Sequence, residues 1–249
     1  MAFGPDEIER YARHLVLREI GGPGQQKLKA ARVLVVGAGG LGGPAALYLA
    51  AAGVGTLGLV DADTVSLSNL QRQILFTTSD IGQSKTEAGA RHLEALNPHI
   101  DLVSHPVALT AQNARDLVRG YDLILDGVDD FAVRFLINQA CLDEAKVLVS
   151  GAIGRWTGQV AVFQGQPCYR CLVPDLPPEA ETCSAVGVVG ALAGVIGAMM
   201  AMEAIKTITG AGEALTGRLS IYDGLSAESR TVKLSADPAC PACGVGGKA

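Results

Sequence analysis

Between residues 61 and 76 the chain reads DADTVSLSNLQRQILF. Asp61, Asp63, Asn69, Arg72 and Gln73 crowd together just after the apolar run TLGLV, where a βαβ unit would return through a short loop. Carboxylates, amides and a guanidinium in one place suit a ligand that is both hydroxylated and highly anionic. A dinucleotide pyrophosphate is held largely by backbone, whereas a triphosphate needs side-chain cations and Mg²⁺. Arg72 and Lys85, in GQSKTEA, are suitable cations, and Asp129, in DLILDGVDD, offers the metal a carboxylate just past a strand end. Taken singly, Arg72 and Lys85 read as surface charges, and Asp129 or Asp130 as the N-cap of the helix that follows. At the ends of three successive strands they favour a triphosphate site.

The cysteines suggest a second chemistry. Cys168-x-x-Cys171 and Cys240-x-x-Cys243 supply four thiolates, the donor set of a closed tetrahedral zinc site. CPAC alone would also suit a redox dithiol. Four sulfurs leave no position for water, so zinc there would be structural and would tie the C-terminal region to the sheet. Cys141 reads as a small buried core residue. Cys183 follows the Pro-rich stretch VPDLPPEAETC and precedes an apolar run.

These groups need a scaffold, and the pattern around them supplies one. Gly37, Gly39, Gly40 and Gly42 fit G-x-G-x-x-G directly after an apolar strand (33–36) and opening an Ala-rich helix (40–52), with Asp61 ending the next strand (56–60). Glycine lets phosphate approach backbone N–H groups, and a carboxylate at that distance can hold a ribose hydroxyl. An NAD-dependent oxidoreductase would share this turn, but would leave the 61–76 cluster unexplained. Alternation continues with helices at 83–96, 111–119 and 130–144 and strands at 100–104, 122–126 and 146–151. The fold class is therefore α/β, a doubly wound, mainly parallel Rossmann-like sheet. Past residue 151, TGQVAVFQ, GRLSIYDG and SRTVKLS predict antiparallel strands extending that sheet. The whole, 1–249, reads as one domain: a helical arm (1–30) opening with an amphipathic helix over 5–19, a nucleotide-binding half (31–152) and an extension with the thiol site (153–249).

Composition excludes other classes. A net charge of −5 gives no footprint for nucleic acid, and no G-x-x-x-x-G-K-[ST] P-loop occurs. The run from Ala185 to Met202 is uncharged, with Gly190 and Gly194 at a small-residue spacing. Because Glu203 and Lys206 follow at once, it reads as a buried or interfacial helix, not a membrane span. With no apolar leader at the N-terminus, a reducing cytoplasm is expected.

The set GAGGLGG, VDADTVSLSNLQRQ, IGQSK, LDGVDDFAVR, PCYRC, ETCSAVG and CPAC resembles the MoeB/ThiF family, bacterial relatives of ubiquitin-activating enzymes, and is most like the MoeB type. The resemblance spans nearly the whole chain. It implies ATP-dependent adenylation of the C-terminal Gly-Gly carboxylate of a ubiquitin-like sulfur-carrier protein, by a homodimer. For the MoeB type that carrier is the small subunit of molybdopterin synthase, in molybdenum cofactor biosynthesis. A thiamine-pathway carrier, or both carriers, would use the same ATP site. By this resemblance Asp61 holds the ribose. Ser68, Asn69, Arg72 and Gln73, with Leu70 and Gln71 between them, surround the phosphates. Lys85 reaches them from the next helix, Asp129 positions Mg²⁺, and Arg13 crosses from the other subunit. The family usually has Asn where this chain has Asp130. Cys183 aligns with a cysteine that carries a covalent intermediate in some relatives, and a separate sulfur donor is expected. A non-catalytic carrier-binding scaffold is the remaining alternative.

Overall fold

Apolar β-formers in runs of four or five dictate the centre of the molecule. In the computed structural model, which describes residues 3–176 and 187–244, RVLVV forms β1 (Arg32–Val36) and TLGLV forms β2 (Thr56–Val60). DLVSH forms β3 (Asp101–His105) and LILD forms β4 (Leu123–Asp126). These join β5 (Val147–Gly154), β6 (Thr157–Phe163), β7 (Arg218–Asp223) and β8 (Glu228–Lys233) in one sheet ordered β3-β2-β1-β4-β5-β6-β7-β8. Pairings from β3 through β5 are parallel, and those from β5 through β8 antiparallel. The expected mainly parallel sheet with an antiparallel extension is what forms.

Strand alternation divides the core in two. Val33 and Val35, Leu123 and Leu125, and Val160 and Val162 enter one cluster, while Leu34 and Val36, Ile124, and Ala161 and Phe163 enter the other. Each fully buried leucine or isoleucine contributes about 1.5–3 kcal/mol. Helices α3 (Gly21–Ala30), α4 (Gly42–Ala51) and α5 (Lys85–Leu96) cover the first face, and α6 (Ala114–Arg119) and α7 (Phe131–Asp143) the second.

The long apolar helix, which we label α9 after the short α8 (Tyr169–Leu172), runs Gly190–Thr209. It is long and apolar enough to cross a membrane, yet Leu192, Ile196, Met200 and Ala204 lie in the first core cluster. Its small residues let backbones approach. A Cβ on Gly197 would lie 2.7 Å from the Leu41 carbonyl oxygen, and one on Gly190 2.1 Å from that of Gln71. Gly194 meets nothing within 4 Å, so the close approach is at Gly190 and Gly197. The helix carries Glu203 and Lys206, as expected, and stops at Gly210 in the left-handed region.

The expected helix over 5–19 is broken. Pro5–Arg10 (α1) and Ala12–Leu15 (α2) are separated at Tyr11, whose buried hydroxyl accepts from Asn97 Nδ2 at 2.9 Å. Its ring fills the space where a Cβ on Gly53 would stand. α3 was not predicted from GGPGQQKLKA; Pro23 is tolerated because it falls in the first turn, where its missing N–H costs nothing. α6 starts at Ala114, not 111, since the Asn113 amide bonds Thr110 N and Ala108 O and holds the preceding residues in a turn.

Candidate active site

The strand order reverses at β1, and ligands of open α/β sheets bind where such a reversal opens a crevice at the carboxyl ends of the strands. A cavity of about 620 Å³ lies there, lined by Gly37, Gly39, Gly40, Asp61, Asp63, Asn69, Arg72, Gln73, Lys85, Asp129 and Asp130 among others. Gly37 has φ +87° and packs against Gly127 beyond β4, so the turn after β1 and the turn after β4 touch. The Asp61 carboxylate returns from β2 to accept from Ala38 N and Asp63 N, both at 2.9 Å. These bonds fix the glycine turn with its N–H groups beside the cavity.

One irregular turn creates the polar wall. Leu67–Asn69 form a single 3₁₀ turn, and the N–H groups of Arg72 and Gln73 close onto the Asn69 carbonyl at 3.0 and 2.9 Å. Spacing of three and four residues puts Asn69, Arg72 and Gln73 on one side. Arg72 Nη1 is steadied by the Ser68 carbonyl at 3.2 Å. Gln73 is buried, and its Oε1 has no hydrogen-bond partner among the described residues. A buried amide oxygen left without a donor costs about 1–3 kcal/mol.

Lys85 closes this wall from the N-terminus of α5. Although buried, its Nζ lies 2.7 Å from Asp63 Oδ2 and 3.7 Å from Asp61 Oδ2. Burial raises the Asp61 carboxyl above its ordinary pKa, against the pull of Lys85. Opposite, Asp129 is exposed to the cavity, and among the described residues no hydrogen bond or ion pair holds its carboxylate. That open donor suits a hydrated hard cation. Asp130 instead caps α7: its Oδ1 accepts from Ala132 N at 2.7 Å and Val133 N at 3.1 Å. Asparagine presents the same oxygen, so the cap is preserved either way.

Beneath Asp129 lies a pair to which the sequence reading gave no role. Arg134, buried on α7, donates to Asp126 Oδ2 and Ser150 Oγ, both at 3.1 Å, to Gly151 O at 2.7 Å, and to Val128 O. Burial opposes the Arg134 charge, but Asp126, Tyr169 and Asp129 around it together more than offset this. A lone arginine in the apolar stretch FAVRFLI was the signal available. It floors the cavity and ties the turn after β4 to β5.

The four thiols converge as the sequence spacing predicted. The Sγ atoms of Cys168, Cys171, Cys240 and Cys243 lie within 4.8 Å of one another, with Cys168–Cys240 at 3.7 Å and Cys171–Cys243 at 3.4 Å. A tetrahedron with bonds of about 2.3 Å has sulfurs about 3.8 Å apart, so the set fits zinc. Asn138 Nδ2 and Asp237 N donate to Cys168 and Cys171 at 3.6 and 3.5 Å, as outer partners of a metal site do. Burial raises the Cys240 thiol, but backbone N–H groups of Cys243 and Ala242, with the Cys243 and Cys168 side chains, together outweigh it and bring the group to about 7. Cys141 is buried in the second core cluster, where burial pushes its thiol up.

Other sequence-named residues stand elsewhere. Gly42 does not line the cavity; a Cβ there would lie 1.9 Å from the Gly37 carbonyl oxygen, so it serves helix-to-turn packing. Leu70 packs on the core, Gln71 meets Gly190 through its carbonyl, and the Ser68 hydroxyl bonds Ser66 at 3.2 Å. These three alternate with the cavity-facing residues of the turn and point away. Arg13 is exposed on α2 and lines no part of this chain's cavity. Cys183 lies outside the described residues.

Comparison with known proteins agrees with this geometry. Residues 11–242 match the ThiF family. The chain is 46% identical to a sulfur carrier protein adenylyltransferase of Thermus thermophilus, covering 98% of this chain and 93% of that protein. It is 46% identical to the probable adenylyltransferase/sulfurtransferase MoeZ of Mycobacterium tuberculosis, and 48% to the adenylyltransferase and sulfurtransferase MOCS3 of Aedes aegypti. Of those two it covers 96% of its own length but only 63% and 56% of theirs. Among solved structures, Escherichia coli MccB with ATP superposes with a TM-score of 0.83 at 22% identity, over 97% of this chain and 75% of that one. At that identity the likeness concerns the fold.

Proposed function

The chain belongs to the ThiF family, and from that premise we propose that it is an ATP-dependent adenylyltransferase acting on the C-terminal carboxylate of a ubiquitin-like sulfur-carrier protein. The observation that carries this reading is the convergence of Asn69, Arg72, Gln73, Lys85 and Asp129 on one cavity beside the glycine turn. In the proposed reaction the carrier's carboxylate attacks the α-phosphorus of ATP, the bond to the bridging oxygen breaks, and pyrophosphate leaves behind an acyl-adenylate. A terminal carboxyl has a pKa near ~3.5, so the nucleophile is already ionised and no general base is needed.

The barrier is repulsion between anions. Arg72 and Lys85 would hold the phosphates and stabilise charge on the leaving group, with the Asn69 and Gln73 amides donating beside them. Asp61 would take the ribose. Mg²⁺ at Asp129 would neutralise phosphate charge. Zinc would fill the four-thiol set and support the fold.

The reading includes a homodimer: Arg13 sits beside exposed Val16 and Leu17, an apolar surface that would suit a second copy whose cavity Arg13 would complete. Free thiols among the described cysteines suit a reducing compartment such as the cytoplasm. For the carrier, the Thermus relative is named for a sulfur carrier without a pathway. This favours an enzyme serving more than one carrier over one restricted to molybdopterin synthase.

ATP–pyrophosphate exchange tests the reading, run separately with a molybdopterin-type and a thiamine-type Gly-Gly carrier and with Lys85→Ala as control. Exchange with both is expected. Exchange with only the first restores the narrower reading, and none with either, in a protein that binds ATP, leaves a scaffold.

A further inference from the structure

Helix α7 touches both sites. Its N-terminus follows Asp129 and Asp130 at the cavity, while Asn138, further along it, reaches the thiol cluster. Asn138 is buried and uses both ends of its amide on one cysteine knuckle: Nδ2 donates to Cys168 Sγ at 3.6 Å, and Oδ1 accepts from Tyr169 N at 2.8 Å. Tyr169, between the two cysteines of that knuckle, is itself buried and lines the cavity. Its ring stands edge-on to Phe135 and Phe163, with centroids 6.1 and 5.9 Å away. The Arg134 guanidinium lies 5.8 Å from the same ring. Arg134 and Asn138 are four apart on α7, hence on one face. Arg134 then grips Asp126, Val128 O and Gly151 O, which fix the turn bearing Asp129.

A continuous set of buried contacts thus runs from sulfur to the cavity floor: Cys168, Asn138, Tyr169, Arg134, then the turn at 126–130. We propose that Asn138 and Arg134 are positioning residues that couple the four-thiol site to the nucleotide site, so that a metal held by the thiols tightens ATP binding at a place it never touches. The coupling rests on the nucleotide reading of the cavity proposed above. Four sulfurs held by a metal fix the knuckle, and with it the Asn138 amide and the Tyr169 ring. Released, the knuckle no longer presses Tyr169 against Arg134, and the Asp129 turn loses its support from below. Linkage makes the effect reciprocal: if zinc tightens ATP, ATP must retain zinc by the same factor.

The test uses the zinc-loaded full chain. Zinc loss to a zinc-selective chelator is followed with and without saturating ATP and magnesium, and ATP affinity is measured by calorimetry on the same preparations. Coupling between sites usually spans about 5- to 150-fold, and we expect ATP to slow zinc loss about tenfold. In Asn138→Ala, loaded to one zinc per chain, that slowing should vanish and the ATP Kd should rise about tenfold. Arg134→Lys reads the other end: one ammonium cannot hold Asp126 and both carbonyls, so zinc should stay bound while the ATP effect on its release is lost. Wild-type protein that binds ATP but releases zinc at an unchanged rate overturns the coupling. Asn138→Ala that melts earlier yet keeps the full ATP effect overturns the role of Asn138. Zinc-loaded wild type that binds no ATP overturns the nucleotide reading, and the coupling with it.

Discussion

The cavity wall and the thiol cluster are both built of polar groups in an apolar protein, but one is left open and the other closed. In the cluster, every sulfur faces another sulfur within 4.8 Å, and backbone or amide donors point at Cys168 and Cys171. In the cavity, among the described residues, Gln73 Oε1 has no hydrogen-bond partner, the Asp129 carboxylate takes part in no hydrogen bond or ion pair, and Arg72 rests on the Ser68 carbonyl. A site whose groups satisfy one another adds stability. A site whose groups await a ligand gives up some stability for binding, and the two should respond oppositely to mutation.

The largest expected effect lies in the open site. Lys85→Ala should lower the carrier-dependent exchange rate by about 10²–10³, the usual loss for one charged transition-state contact. A variant with near-normal exchange would leave Lys85 only its ion pairs with Asp61 and Asp63. Next comes the closed site. Cys168→Ser should bring zinc below half an atom per chain and lower Tm by about 4–16 °C, given ~2–4 kcal/mol at about 2–4 °C per kcal/mol for a chain of this size. Full zinc content after that change would exclude Cys168 as a ligand.

Asp130 stands between the two designs, in the cavity lining yet already used as a cap. Asp130→Asn keeps the oxygen that accepts from Ala132 and Val133, so exchange should stay within about threefold of wild type. Asp130→Ala loses about 1 kcal/mol of capping and about 2–4 °C in Tm. If instead the Asn variant gained or lost activity more than tenfold while the Ala variant melted normally, the carboxylate would belong to the nucleotide and not to the helix.

Legibility differed between these regions for a physical reason. The parallel strands were readable because burial on both faces forces continuous apolar runs such as RVLVV and LILD. The thiol set was readable because metal ligation demands fixed spacings. Within 61–76 the residue types were readable, but the single 3₁₀ turn that sends Asn69, Arg72 and Gln73 inward and Ser68, Leu70 and Gln71 away was not, since nothing local forces it. The roles of Arg134 and Asn138 were hidden for a related reason: beyond the lone arginine in an apolar stretch, their partners lie on β4, β5 and the cysteine knuckle, brought near only by the sheet. Tyr11 likewise breaks its helix to reach Gly53 and Asn97, far along the chain.

The smallest expected effect is the most direct reading of the open design. Burial raises the folded pKa of Asp61 above the unfolded value near 3.8, with Lys85 pulling the other way. A raised carboxyl pKa means that the folded state prefers the protonated form. Ionised Asp61 therefore subtracts from stability, fully so above its folded pKa, and the penalty fades as pH falls through that pKa toward 3.8. Asp61→Asn keeps an acceptor for Ala38 N and removes the charge; it gives up the bond from the exposed Asp63 N, which water can replace, while Lys85 retains Asp63 at 2.7 Å. The variant should melt about 1–3 °C above wild type near neutral pH, and the gap should close as pH approaches 4. Lower Tm for the variant at neutral pH would show that the Lys85 pairing outweighs burial, and that this corner of the cavity is built for stability, as the thiol cluster is.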